Sequence, residues 1–213
     1  MALDSTFASP PVIGLTGSIG AGKSVVASML QQAGCVVADA DAAVRDLLNQ
    51  PGIIDTLVRW WGGIILDENG SLDRSVVARI VFADPKERIR LEQLLHPLVS
   101  QRREAVFSHV PPETPALVID APLLMEVGLD EECDVVLYVD SAPAHCRQRI
   151  AVTRGWSEEE FDKRSKAQIP VDQKRARADI VISNNSDLAA LEVEIKRFLE
   201  KLTGGFESNE ASH

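Results

Sequence analysis

The stretch Gly17-Ser18-Ile19-Gly20-Ala21-Gly22-Lys23-Ser24 constrains this chain more than any other. It satisfies G-x-x-x-x-G-K-[ST] in full. It also lies between an apolar run, "VIGLT", and a segment patterned as a helix, "VVASMLQQAG", the context in which the motif acquires physical meaning. The glycines let the backbone curl until successive N–H groups converge on one anion, and a helix start adds its partial positive charge. Lys23 has the reach to meet the β and γ phosphates of a nucleotide, and the Ser24 hydroxyl suits Mg²⁺. Gly17, Gly20, Ala21, Gly22, Lys23 and Ser24 are therefore candidate nucleotide-binding residues, with Ser24 also a candidate metal ligand.

The rest of the chain supports an α/β fold. Apolar runs at 12–17, 116–122, 134–141 and 179–185, and a weaker one at 35–41, each end in turn residues and alternate with helical patterns. Runs that are apolar on both faces are buried on both faces, which is the mark of a parallel sheet wrapped by helices. Val25, Val26, Met29, Leu30 and Ala33 keep to one helical face, which Gly34 is placed to end in a left-handed conformation. Asp84 and Pro85 open another helix, with Glu87 completing a capping box and Pro97 expected to stop it. Ser157 caps a third, and Leu188, Leu191, Ile195, Phe198 and Leu202 mark the last, which Gly204 and Gly205 should end. The expected core is 12–40, 115–145 and 178–202. About 75 residues, 41–114, separate the second and third strands, far more than a crossover needs, so they form an inserted helical lobe. Residues 1–11 read as a disordered leader and 203–213 as a disordered tail.

Composition narrows the partners. A formal charge of -10 on 213 residues argues against a duplex nucleic-acid partner, so anions must be met by local positive groups. The expected partner is a small molecule, with the protein a monomer or weak homo-oligomer. No apolar stretch is long enough for a membrane span, and the start is no signal peptide. Cys35, Cys133 and Cys146 lack metal-ligand spacing and read as reduced thiols of a cytosolic protein.

A P-loop alone does not name a reaction. The chain has no N-K-x-D or T-K-x-D for guanine, and Asp67-Glu68-Asn69-Gly70 is more simply a turn than a GTPase switch. The L-S-G-G-Q-like run of transporter ATPases is missing too. A small-molecule kinase fits better, since it needs a P-loop, an acceptor lobe and a basic lid. In "ADADAAVR", Asp39 and Asp41 point the same way if the segment is extended, at the end of a strand where α/β ligands bind. A carboxylate there would take a proton from an attacking hydroxyl or hold the metal, and Arg45 would clamp an acceptor; the plainer alternative is an acidic turn with Asp41 as a helix cap. Asp120, closing "ALVID", is either a metal-side carboxylate or a partner for a nearby turn. The segment 146–177 suits the lid: from Arg147 to Arg177 there are nine basic and five acidic residues, a positive island in an acidic chain.

Taken in order, "IGLTGSIGAGKS", "DADAAVR", "GSLDR", "LEQLLHPL", "DAPLLMEVG", "DVVLYVD", "RGWS" and "ADIVISNN" closely resemble the dephospho-CoA kinase family, from residue 12 to about residue 200. The resemblance implies a P-loop kinase fold with a five-stranded parallel sheet, a helical CoA-binding lobe and a helical lid. It implies Mg²⁺-dependent transfer from ATP to the ribose 3′-hydroxyl of dephospho-coenzyme A. On that resemblance Asp41 is the base, with Lys23 and Arg149 sharing catalysis. Asp39, Arg45, His96, Pro122, Leu123 and Leu124 lie on the acceptor side, Arg154 joins the nucleotide site, and Ser24 with Asp120 serves the metal. The family's usual G-K-S-T is here G-K-S-V, so at Val25 only the backbone N–H is left for the nucleotide. A kinase of nucleoside monophosphates and a regulatory ATP-binding module without turnover are the rival expectations.

Overall fold

A computed structural model of the chain describes residues 9–204, so the expected leader and tail fall mostly outside the described residues. The strands are β1 (Val12–Gly17), β2 (Val36–Asp39), β3 (Leu117–Asp120), β4 (Val135–Asp140) and β5 (Ile180–Ser183). The helices are α1 (Lys23–Gln32), α2 (Ala40–Leu47), α3 (Pro51–Trp61), α4 (Arg74–Ala83), α5 (Pro85–Phe107), α6 (Pro143–Arg154), α7 (Glu158–Lys166), α8 (Val171–Arg177) and α9 (Leu188–Thr203). The chain divides into two compact units, one running to Ala38 and resuming at Val110, the other Asp39–His109.

The first unit is a five-stranded parallel sheet of order β2-β3-β1-β4-β5. Its three inner strands are buried almost throughout, which is why their sequences are apolar in continuous runs and not at every second position. Ile13, Leu15, Val26, Leu30, Val118, Leu137, Ile182, Leu191 and Ile195 form the centre of its core. Full burial of each such side chain contributes about 1.5–3 kcal/mol. Helix α9 supplies Leu191, Ile195, Phe198 and Leu202 as expected, but Leu188, in its first turn, stays 61% exposed. After α1, Gly34 takes φ +94° and its N–H donates to the Gln31 carbonyl while Cys35 N–H reaches Leu30. Only a left-handed residue allows that closure, so the glycine is used as expected.

The second unit is helical around Leu47, Leu48, Ile53, Leu57, Ile65, Leu72, Val77 and Leu95. Asp67 does make a turn: its carboxylate accepts from the N–H groups of Asn69 and Ser71, with Gly70 at φ +75°. Two expectations fail here. Glu87 does not return to cap α5; its carboxylate accepts from the Trp61 indole N–H at 2.7 Å, while Asp84 N–H closes α4 on the Ile80 carbonyl. Nor does Pro97 stop α5, which continues for ten residues beyond it to Phe107. Leu91, Leu94 and Leu95 before the proline, and Leu98 and Val99 after it, all pack on the same core. That burial offsets the hydrogen bond that the Gln93 carbonyl loses.

Because an interior proline costs roughly 3 kcal/mol and Pro97 is exposed, Pro97→Ala is expected to stabilise the protein by about 1–3 kcal/mol. Thermal unfolding checks it, and a lowered midpoint would show that α5 requires the ring.

Candidate active site

The loop between β1 and α1 is shaped from below. Ala21 N–H closes a turn on the Ser18 carbonyl at 3.0 Å, with Gly20 at φ +78°, and Gly22, at φ +95°, opens α1 without any side-chain cap. Under this turn lies the Arg149 guanidinium of α6. Its Nη1 donates to the carbonyls of Gly20 (3.3 Å) and Ala21 (3.1 Å) and to Ser141 Oγ (3.2 Å), and its Nη2 donates to the Asn184 carbonyl (3.0 Å). Asn184 Nδ2 donates to the Ala21 carbonyl at 2.7 Å. Since the two ends of a trans peptide point in opposite directions, drawing the Ala21 carbonyl down turns the Gly22 N–H up. The amides of Lys23 and Ser24 follow, at the helix start where N–H groups have no intrahelical acceptor. That is an anion nest with its dipoles fixed in advance.

The glycines are required twice over. Besides their positive φ, a Cβ at Gly20 would stand 2.6 Å from the Cys146 carbonyl and 2.9 Å from Ile150, and one at Gly22 would run into the Asn184 amide. At Gly17, it would meet the Val139 carbonyl at 2.7 Å. Ser18 Oγ shares a 2.6 Å hydrogen bond with the hydroxyl of Tyr138, which burial raises above the ordinary phenol range and so keeps protonated.

Lys23 and Asp120 meet: the Lys23 ammonium is ion-paired with Asp120 Oδ1 at the end of β3. Asp120 thus closes β3 against the lysine of the loop. Ser24, the next residue after Lys23, is exposed. The Val25 N–H, on a residue whose side chain carries no hydroxyl, donates to the Gly22 carbonyl at 3.0 Å. Pro122 and Leu123, the latter 44% exposed, follow β3, but Leu124, placed on the acceptor side by the resemblance, is in the core and cannot offer its side chain to an acceptor. It is fully buried, and a Cβ on Gly14 would stand 2.7 Å from its side chain.

The lid residues are more occupied than their charge suggested. Arg147 pairs with Asp162 at 3.1 Å, Arg164 with Glu160, Arg175 with Asp140 and Arg177 with Asp130. Arg154 and Arg164 flank the Trp156 ring, at 5.1 and 4.3 Å from its centroid. An open groove of about 440 Å³, lined by Ala144, Arg147, Ala151, Trp156 and Phe161, lies on the side of α6 away from Arg149. Two of the thiols are not nucleophiles in waiting: burial pushes Cys35 up to about 11 and raises Cys146 despite the nearby Arg149 charge.

In the helical unit, Asp39 and Asp41 do not alternate on one strand, because β2 ends at Asp39 and α2 begins at Ala40. Asp39, not Asp41, is the cap: its Oδ1 accepts from Ala42 N–H at 2.8 Å and its Oδ2 lies 3.8 Å from Arg45. Asp41 sits in the first turn of α2, exposed and outside that cap. Arg45 and His96 are exposed as well, His96 on α5 just before Pro97.

Sequence reasoning missed Asn184, Tyr138, Glu126 and Lys174. "ISNN" read only as a strand end, and nothing in the local pattern marks an asparagine that reaches 163 positions back to Ala21.

Comparison with known proteins follows the same lines. A family model described as Dephospho-CoA kinase matches residues 11–190. A dephospho-CoA kinase of Syntrophotalea carbinolica is 36% identical over 197 residues, 91% of this chain and 93% of the relative. That of Deinococcus radiodurans is 40% identical over 195 residues, with 91% and 93% covered. A solved structure from Thermus thermophilus, 36% identical, matches with a TM-score of 0.81 over 92% of this chain and all of its own. A shikimate kinase from Bacteroides thetaiotaomicron shares the fold at 15% identity, with a TM-score of 0.51 over 90% of this chain and 98% of its own.

Removing the Asn184 amide leaves the Ala21 carbonyl one donor short, a loss of about 1–1.5 kcal/mol, or five- to tenfold in affinity. Asn184→Ala is therefore expected to weaken nucleoside triphosphate binding by that factor in calorimetric titration. Unchanged affinity would mean that the amide does not set the loop.

Proposed function

The chain belongs to the dephospho-CoA kinase family, and on that premise we propose that it transfers the γ-phosphoryl group of ATP to the 3′-hydroxyl of dephospho-coenzyme A, giving coenzyme A and ADP. The observation that carries this reading is the phosphate loop, whose carbonyls are tied down by Arg149 and Asn184 at the mouth of α1. Such a loop fits a polyphosphate, and family membership supplies the acceptor.

In this mechanism the loop amides bind the phosphate chain, and Lys23, held by Asp120, meets the charge that develops on the oxygens in flight. Arg149 acts from beneath the loop as its anchor. Asp41 orients and deprotonates the 3′-hydroxyl, with Arg45 and His96 on the acceptor side and Pro122 and Leu123 along the end of β3. The engagement of Asp39 as a helix cap favours Asp41 over Asp39 as the base. Arg154, beside Trp156, belongs to the segment that covers the nucleotide and excludes water.

Mg²⁺ fits the donors present. The Ser24 hydroxyl and the Asp120 carboxylate are hard oxygen donors near the loop, and Mg²⁺ in kinases is held largely by the substrate's own phosphates. Among the described residues no group of three or more His, Cys, Asp or Glu is arranged to hold a metal by itself. When bound, the ion neutralises phosphate charge. The protein is proposed to act as a monomer or weak homo-oligomer in the cytosol. Its cysteines are free thiols, and no described helix is long and apolar enough to cross a membrane.

The test is ADP release measured with dephospho-CoA against AMP, CMP and adenosine as acceptors. Strong stimulation by dephospho-CoA alone is expected; stimulation by AMP or CMP would move the assignment to a nucleotide kinase, and none by any acceptor would leave a binding module. Asp41→Asn should lower kcat by roughly 10²–10⁴-fold while both substrates bind nearly as before. Full turnover in that variant would overturn the base assignment. Lys23→Ala should cripple ATP use.

A further inference from the structure

Lys174, in α8, is the most deeply buried charged side chain among the described residues, 1% exposed. Its Nζ lies 2.7 Å from Glu126 Oε1, 3.2 Å from Gln168 Oε1 and 3.3 Å from the Pro122 carbonyl, so three donors meet three acceptors. Glu126 Oε1 also accepts from Ile169 N–H at 3.0 Å, and Glu126 Oε2 is buried with no hydrogen-bond partner. A pair this deep is costly to desolvate, and apolar residues of the same volume would serve a purely packing role as well or better. What the pair does that apolar residues do not is fix three stretches of backbone at defined hydrogen-bond lengths. These are the exit of β3 at Pro122, the turn carrying Glu126, and the link between α7 and α8. Thr16 Oγ1 adds a donor to the same Pro122 carbonyl, at 3.4 Å.

Around this point the basic segment changes character. Helix α8 is pinned again by Arg177 to Asp130 and by Arg175 to Asp140. Helix α7 has no fully buried residue: Phe161 packs part-buried against the sheet core, and its described charged contacts outside itself are Arg147 with Asp162 and Arg164 over the Trp156 ring. The step from a segment held by part-buried contacts to one held by a sealed ion pair therefore falls at Gln168–Ile169, the two residues bonded to Lys174 and Glu126.

We propose that Lys174 and Glu126 are positioning residues: they root the basic segment at the strand end that presents Pro122 and Leu123, so one buried ion pair sets both lid closure and acceptor placement. This rests on the kinase reading above. The pair touches neither substrate directly. It acts through the Pro122 carbonyl and the α7–α8 link, and its loss should appear as water reaching the nucleotide and as poor acceptor placement.

The experiment compares the full-length wild type with Glu126→Gln, Lys174→Met and the double variant Glu126→Leu/Lys174→Met. Readouts are KM for ATP, KM for dephospho-CoA, ADP release without acceptor, and the thermal midpoint. In the variants KM for ATP should stay within about twofold, while KM for dephospho-CoA rises about fivefold or more and the acceptor-independent share of ADP release about tenfold. These changes should persist in the double variant even though its midpoint recovers, because packing is restored and the hydrogen bonds are not. A double variant that regains both stability and the wild-type partition between acceptor and water would reduce the pair to a structural role. Hydrogen exchange on the wild type needs no variant: α8 amides should be protected with the sheet, and α7 amides should exchange at least about 100-fold faster. Equal protection of α7 and α8 would overturn the anchoring. If the wild type shows no ADP release dependent on dephospho-CoA, the kinase reading falls, while hydrogen exchange still judges the anchor.

Discussion

The grip of Arg149 and Asn184 on the carbonyls of Gly20 and Ala21 is the interaction on which the rest of this structure depends. A phosphate is bound by main-chain amides only if those amides already point at it, since reorienting peptide planes during binding would cost free energy that could otherwise go into affinity. Here the planes are set from the far side, by a guanidinium and an amide that take the carbonyls. Arg149 comes from α6 and Asn184 from the end of β5, so the loop's geometry is inherited from the sheet and the helix after β4. The loop that would hold a triphosphate is therefore shaped by the packing of Arg149 and Asn184 beneath it.

The positions of the five strands, the glycine stop of α1, and the caps at Asp84 and Ser157 are legible in the sequence because each depends on neighbours within a few positions. The glycine pattern is legible too, although only half of its cause is. Positive φ at Gly20 and Gly22 follows from the motif, whereas the Cys146 carbonyl and the Asn184 side chain that leave no room for a Cβ come from over 120 positions away. Long-range contact also hides Asn184, Tyr138 and the Lys174–Glu126 pair, whose partners lie outside any local pattern. Where local rules were misleading, tertiary contacts had overridden them. Pro97 is tolerated because leucines on both sides of it share a core, and Glu87 is drawn away from its cap by Trp61. The D-A-D segment was misread for another reason: the strand ends at Asp39, two residues short of Asp41, and Asp39 spends its carboxylate on the first turn of α2.

Charge in the basic segment illustrates how composition and geometry differ. A positive surplus over 147–177 is real, yet Arg147, Arg164, Lys174, Arg175 and Arg177 all have carboxylate partners. The exposed pairs contribute little to stability, about 0–1 kcal/mol each, and are screened by salt. Their use is to hold orientation. Lys174 is the exception, being sealed from solvent, and it marks where the segment stops being surface and becomes part of the core.

Direct, in-line passage of one phosphoryl group between two bound substrates is the central claim, and the stereochemical course at phosphorus tests it without appeal to any single residue. With ATP made chiral at the γ-phosphorus by sulfur and oxygen isotopes, and dephospho-CoA as acceptor, the account predicts inversion of configuration in the 3′-phosphorylated product. Retention would signal an even number of transfers through a phosphorylated side chain, and would contradict it.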